Sequence, residues 1–280
     1  MDKKNNSKIL KGIHIDSRIE HLIESTKLCI NNGGSIIQLF VDPDKDINIY
    51  LKFKDFLIKN KIKCVVHASY TINLSRDWDD YSPWIHQFIA QINLAHTIGA
   101  FGIVVHMGKK MELSLESAYN NMYTSLLYVH NQTLQNKDTK ILLETSTGQG
   151  SEICYKLEDL AYFYKKFSRS KNSNIVDRFG ICVDTCHIFA AGYDLRTKAS
   201  VYMYLEAFEE LIGVKNIKLI HLNDSKKDIG SNVDRHDNIG YGKIGEEGLI
   251  IFAKHFINLE IPIILETPFD YLIQDLNLLK

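Results

Sequence analysis

A chain of 280 residues, 45% hydrophobic and 24% charged, has an ordinary globular composition, which excludes a disordered or low-complexity protein. A net charge of −1 gives no support to a nucleic-acid partner, but does not exclude one, because a local basic groove or bound cations escape such a count. No apolar run approaches the roughly 18 residues that span a bilayer, and the five cysteines (Cys29, Cys64, Cys154, Cys182, Cys186) form no CxxC pair, so neither a membrane partner nor a disulfide framework is expected.

Residues 1–10, MDKKNNSKIL, read as a polar tail lacking the apolar core of a secretory signal. An intracellular setting follows, in cytoplasm, nucleus or a viral compartment, with the thiols reduced. From residue 11 to 280, apolar runs rich in Ile and Val alternate with longer amphipathic stretches. The runs are Lys11–Ile15, Ser35–Val41, Lys63–Ala68, Phe101–Met107, Lys140–Thr145, Phe179–Thr185, Ile217–Asn223 and Ile261–Thr267. Near-continuous hydrophobicity in each predicts strands buried on both faces, as in a parallel sheet. Helical spacing appears between them, as in Ser82–Gly99 with Trp84, Phe88, Ile92 and Ala95, and in Val201–Leu211, which Gly213 stops. Eight such alternations predict a single-domain (β/α)8 TIM-like barrel. The rival, an open doubly wound sheet, lacks a GxGxxG after the first run.

The polar residues are placed more tellingly than they are numbered. The third run ends in VVHASY (His67, Tyr70), the fourth in IVVHMG (His106) and the fifth in ILLET (Glu144). The sixth ends in ICVDTCH (Asp184, His187), the seventh in LIHLND (His221, Asp224) and the eighth in IILET (Glu266). In a barrel these ends converge on one rim, where active sites of the fold lie. Between the last two runs, VDRH supplies Asp234 and His236, two apart and so on one side of an extended segment.

Singly, each residue has a plainer explanation. A histidine in an apolar strand is more often a hydrogen-bonded core residue than a ligand, and a glutamate after a strand serves equally as a cap or ion-pair partner. Jointly they do not. So many ionisable groups in one apolar rim would cost several kcal/mol per buried charge without a counter-charge. Imidazoles and carboxylates without a thiolate set are the ligands of Zn²⁺ or Mn²⁺. His67, His106, Glu144, Asp184, His187, His221, Asp234, His236 and Glu266 suffice for two or three ions, the arrangement of phosphoester hydrolysis.

From about Gly12 to Glu266 the sequence resembles the endonuclease IV family of abasic-site endonucleases (AP endonuclease family 2). The resemblance is carried by VDTCHIFAAGYDLRT (Val183–Thr197), HLNDSK (His221–Lys226), VDRHDNIGYGKIG (Val233–Gly245), HASYTINL (His67–Leu74) and LETSTGQGSE (Leu143–Glu152). It implies a monomer with three zinc ions. His67, His106 and Glu144 would hold the first, and Glu144 would bridge to a second completed by Asp184, His221 and Glu266. His187, Asp234 and His236 would hold the third. The implied activity is DNA repair on double-stranded DNA, hydrolysing the phosphodiester 5′ to an abasic nucleotide to leave a 3′-hydroxyl and a 5′ deoxyribose phosphate. Glu144 and Glu266 are the implied catalytic residues beside the attacking water, and the damaged nucleotide swings out of the duplex to reach them.

Tyr70 matches a family position in the DNA groove, with a rim-packing tyrosine as the alternative. Arg235 is a candidate for phosphate contact, or else a salt-bridge partner of Asp224 or Asp237. Lys109, Lys110, Lys226 and Lys227 follow the fourth and seventh runs, where they would position the duplex or merely be solvated. Gly148 and Gly150 are expected to shape a loop. Four departures bear on the grip on DNA: VDPDKD (Val41–Asp46) after the second run, DSRIEH (Asp16–His21) after the first, Met107 for a usual proline, and Tyr241 where an acid is common. Two other functions compete. A sugar isomerase or epimerase on the same barrel would use Glu144, Asp184, His221 and Glu266, leaving the other five ligands without a shared purpose. A non-catalytic DNA-binding barrel has only the acidic loop in its favour.

Overall fold

A computed structural model describes residues 9–280. Residues 1–8, most of the expected tail, lie outside the described residues. Ile9 and Leu10 already belong to the barrel, their carbonyls accepting from Ser35 Oγ (2.9 Å) and from the Ile263 N–H (2.8 Å).

The strands are β1 (Lys11–His14), β2 (Ile36–Phe40), β3 (Lys63–His67), β4 (Gly102–His106), β5 (Lys140–Glu144), β6 (Phe179–Asp184), β7 (Ile217–His221), β8 (Asp224–Ser225), β9 (His236–Asp237) and β10 (Ile263–Leu265). All but β8 and β9 close into a parallel barrel in the order β1-β10-β7-β6-β5-β4-β3-β2. Each of the eight apolar runs contains one barrel strand, as the pattern predicts. The short antiparallel ribbon β8–β9, which pairs Asp224 with Asp237 and Ser225 with His236, was not foreseen, because two-residue strands carry no periodicity.

Around the barrel lie α1 (Leu22–Asn31), α2 (Ile47–Asn60), α3 (Pro83–Thr97), α4 (Leu115–Gln132), α5 (Leu157–Ser168), α6 (Ser173–Arg178), α7 (Thr185–Ala190), α8 (Lys198–Leu211), α9 (Glu246–Asn258) and α10 (Leu272–Leu278). The helix α8 starts three residues before Val201 because Thr197 and Ser200 form a reciprocal capping box there. Asp46, in the acidic loop, accepts the Asn48 N–H and so caps α2. Among the described residues no helix is long and apolar enough to cross a membrane.

Side chains alternate along each strand, and this places the site. One inner cluster gathers Ile36, Val65, Val104, Leu142, Cys182, Leu219 and Ile264, one residue from each barrel strand except β1. On β1, Gly12 pairs with Ile36 and Ile264 and has no room for a side chain, since a Cβ would lie 1.6 Å from the Ile36 carbonyl oxygen. Two residues further along every strand the same inward face carries a polar group: His14, Gln38, His67, His106, Glu144, Asp184, His221 and Glu266. The intervening residues, such as Ile103, Val105, Ile141 and Leu143, face the helices and join the main core. An apolar floor therefore lies beneath a polar ring at the carboxyl ends of the strands.

Candidate metal centre

Glu144 is the hub of the ring. Its Oε2 lies 3.0 Å from His106 Nε2 and 3.3 Å from His67 Nε2, and its Oε1 lies 2.7 Å from His221 Nδ1. His221 Nδ1 also faces Glu266 Oε2 (3.2 Å) and Asp184 Oδ2 (3.8 Å). Asp184 ends β6 and caps α7, accepting the His187 N–H, so one turn projects Asp184 and His187 into the same cluster. The loop before β9 brings in Asp234, whose carboxylate lies 3.3 Å from His187 Nε2 and 3.2 Å from His236 Nε2.

Donor atoms thus gather into three adjacent groups, the first two sharing Glu144, in each of which all lie within 4.8 Å of one another: His67, His106 and Glu144; Glu144, Asp184, His221 and Glu266; and His187, Asp234 and His236. These are the nine residues singled out in the sequence. Two thiols also approach, Cys182 beside Glu144 and His221 and Cys186 beside Asp184 and His236. Burial pushes both thiols up to about 12, so they enter as neutral packing groups.

The tautomers suit cation binding. His67 Nδ1 donates to the Ala68 carbonyl (2.7 Å), His187 Nδ1 to the Thr145 carbonyl (2.8 Å) and His236 Nδ1 to the Glu266 carbonyl (3.3 Å). A carbonyl only accepts, so each ring turns its Nε2 to the cluster, where it would ligate a cation, with the usual outer support of a metal-bound histidine. His187 Nε2 and His236 Nε2 are buried yet make no hydrogen bond. Burial disfavours charge on these groups, but the carboxylates around His187 carry it well above its ordinary value and raise His236 to about 9. Burial would likewise raise Glu144, yet His106 and His221 hold it well below the usual carboxylate range. His67 moves the other way, lowered by burial. At His187 and His236, then, the buried carboxylates favour a positive charge, which divalent cations would supply at the orphaned Nε2 atoms. The donor set fits a metal centre.

One side of the cluster opens into a cleft of about 300 Å³ lined by Tyr70, His106, Lys109, Gln149, Asp234 and Arg235, among others. Tyr70 is 65% exposed, with its ring 5.2 Å from those of His67 and His106, so it covers the cluster without being buried by it. Arg235 donates to the Asp234 carbonyl and, among the described residues, pairs with neither Asp224 nor Asp237. Lys109 Nζ lies 3.6 Å from Glu152 Oε1. Lys226 is exposed beside the β8–β9 ribbon, its N–H donating to the Arg235 carbonyl. Gly148 (φ +81°) does shape its loop, since a Cβ there would lie 2.6 Å from Asn232 Nδ2.

Four residues near the site were not read from the sequence in these roles. Asp224 is no part of the cluster: its carboxylate accepts the N–H groups of Gly240, Gly242, Ile244 and Gly245 and fixes that loop. Asn223 donates to Asp184 Oδ2 (2.8 Å) and accepts the Glu266 N–H (2.8 Å). His14 and Gln38 complete the ring on β1 and β2. A glutamine inside the apolar run IIQLF was the available signal.

Comparison with known proteins follows the same lines. Residues 27–280 match the family described as xylose isomerase-like TIM barrel. The chain is 34% identical to a putative endonuclease 4 of Acanthamoeba polyphaga mimivirus, over 95% of this chain and 88% of that one. It is also 34% identical to a probable endonuclease 4 of Thermosipho africanus, over 85% of each. In fold it resembles endonuclease IV from Thermus thermophilus (TM-score 0.76, 23% identity, 95% of each chain covered). A D-tagatose 3-epimerase-like protein shares the fold too (TM-score 0.70, 16% identity, 95% and 92% covered), so backbone similarity alone does not separate nuclease from epimerase. Sequence does: the chain belongs to the endonuclease IV family of xylose isomerase-like TIM barrels.

Proposed function

We propose that the protein is a zinc-dependent DNA-repair nuclease that hydrolyses the phosphodiester 5′ to abasic nucleotides in duplex DNA, leaving a 3′-hydroxyl and a 5′ deoxyribose phosphate. One observation carries the reading: nine imidazoles and carboxylates converge in three adjacent groups, the first two sharing Glu144 and the third lying against Asp184 of the second. An epimerase needs only Glu144, Asp184, His221 and Glu266, and would leave His67, His106, His187, Asp234 and His236 without a reason to gather there. The relatives named endonuclease 4 support nuclease chemistry.

His67, His106 and Glu144 would hold one ion, Glu144, Asp184, His221 and Glu266 a second, and His187, Asp234 and His236 a third. Bound zinc would lower the pKa of water and neutralise charge on the phosphate and leaving oxygen. Glu144 and Glu266, on either side of His221, orient the attacking water, and Glu266 receives its proton. The ring floor of Val65, Val104, Leu142 and Leu219 keeps bulk water from reaching the cluster from below. Tyr70, Lys109 and Arg235 line the cleft at the side, where an aromatic face meets an extruded nucleotide and cations meet its flanking phosphates.

The test is a duplex carrying one tetrahydrofuran abasic analogue, incubated with wild type and with Glu144→Ala. The analogue has no aldehyde, so a lyase acting through a Schiff base leaves it intact. Cleavage on the 5′ side by wild type alone is expected. An uncut duplex with zinc bound would sink the assignment and return the epimerase reading.

A further inference from the structure

Gln38 is fully buried at the centre of β2, and its amide reaches three members of the polar ring. Nε2 lies 2.6 Å from Glu266 Oε1 and 3.0 Å from His14 Nδ1, and Oε1 lies 2.8 Å from His221 Nε2. The orientation of the amide is dictated by its neighbours. Turned over, it would set its carbonyl oxygen 2.6 Å from the Glu266 carboxylate oxygen, two acceptors with no proton between them. With the amide as it stands, both hydrogens and the oxygen are used, so no polar group in this fully buried side chain is left over.

We propose that Gln38 is a positioning residue for the middle metal group: it sets the His221 tautomer and aims the Glu266 carboxylate. Its oxygen accepts the His221 Nε2–H, which leaves Nδ1 as the nitrogen turned toward Glu144, Asp184 and Glu266, where it hydrogen-bonds Glu144 and would offer its lone pair to a bound cation. Its NH₂ holds Glu266 Oε1, so that Oε2 is the oxygen turned toward His221 Nδ1. The second hydrogen of the NH₂ goes to His14, whose Nδ1 is thereby an acceptor; its 3.4 Å approach to Glu266 Oε1 is then a contact between two acceptors rather than a hydrogen bond. His221 is the odd histidine of the cluster. The other three supported rings donate Nδ1 to backbone carbonyls and present Nε2, whereas His221 presents Nδ1 and depends on a side chain for its support. Backbone carbonyls are fixed by the fold, and an amide is replaceable, so this is the group most sensitive to one substitution.

The inference rests on the metal-centre reading, and the test separates the two. Metal-free wild type, Gln38→Met and Gln38→Glu are titrated with Zn²⁺ against a competing chelator, and circular dichroism melting of each metal-free form checks the fold. Met keeps the volume and removes both polar contacts; Glu keeps an acceptor for His221 but sets a second carboxylate against Glu266. In both variants, one zinc is expected to bind about 10–100-fold more weakly, the usual effect of removing such a support, while the other ions bind as in wild type. In zinc-loaded wild type, the imidazole N–H signal of His221 is expected on Nε2 and slow to exchange with solvent; in loaded Gln38→Met that protection is lost. Wild-type zinc affinity in a folded Gln38→Met variant, or a loaded wild type with the His221 proton on Nδ1, would overturn the positioning role alone. A wild type that binds no divalent ion would overturn the metal centre as well.

Discussion

His187 Nε2 stands 3.3 Å from Asp234 Oδ2, although His187 belongs to the helical turn directly after β6 and Asp234 to the loop that precedes β9. The group they form with His236 is the one with two open side chains, Asp234 and His236 at 36% and 19% exposed; the first group has one, His106 at 29%, and in the middle group Asp184 and His221 are fully buried.

That difference orders the loss of metal. Under the proposed assignment, the ion held by His187, Asp234 and His236 is expected to leave first during chelation. Metal content followed against time in EDTA should show one fast step and a slower one, and Asp234→Ala should abolish only the fast step. Simultaneous loss of all ions would contradict the assignment.

Asp224 calls for a different outcome. Its buried carboxylate satisfies five backbone N–H groups, that of Ser225 among them, and removing it leaves those donors without a partner at about 1–3 kcal/mol for each that water does not reach. Asp224→Ala is therefore expected to lower stability by about 3 kcal/mol in chemical denaturation while leaving the zinc stoichiometry unchanged. Gly242→Ala should act similarly, since its Cβ would lie 2.5 Å from Asp224 Oδ1.

Tyr70 tests the substrate side. It is largely exposed, so Tyr70→Ala should leave the melting temperature and zinc content close to wild type. Loss of a stacking surface is worth about 1–3 kcal/mol, and KM for the abasic duplex is expected to rise about tenfold or more. A drop in kcat with KM unmoved would instead make the tyrosine a participant in the chemical step.

The thiols give a pH prediction away from the site. Burial raises Cys29 to about 11 and Cys64 to about 12 from an ordinary value of 9.0. A folded pKa above the unfolded one means the stability contribution is complete below pH 9 and is lost as pH climbs toward 11 and 12, where only the unfolded chain ionises freely. Unfolding free energy should accordingly decline from about pH 9 upward, and less steeply in Cys29→Ala. At about pH 8 an aromatic disulfide reagent should titrate none of the five buried thiols until denaturant is added.

Much of this was legible in the sequence. Six ring positions stood at the ends of apolar runs because a barrel strand stays apolar until it reaches the rim, and the first polar residue there is conspicuous. Gln38 escaped notice because the sheet is staggered. Gln38 pairs with Val65 and Phe40 with His67, so the ring crosses β2 two residues before its end, inside the apolar run. Asp224 was misleading for the opposite reason: it follows His221 at a strand end, yet its partners are backbone groups some twenty residues downstream, and no side-chain pattern announces them. The β8–β9 ribbon was invisible on the same account. Asp46 was a liability in sequence and a helix cap in the structure.

The stacking of a polar ring on an apolar one has a further consequence. Every barrel strand contributes one member to the polar tier, from His14 at one end of the chain to Glu266 at the other. No hairpin, half-barrel or folding intermediate short of closure can assemble the tier, because its last seam joins β1 to β10. Competence to bind and completion of folding are then one event, and a nascent or damaged chain is kept from becoming a partial nuclease by topology alone.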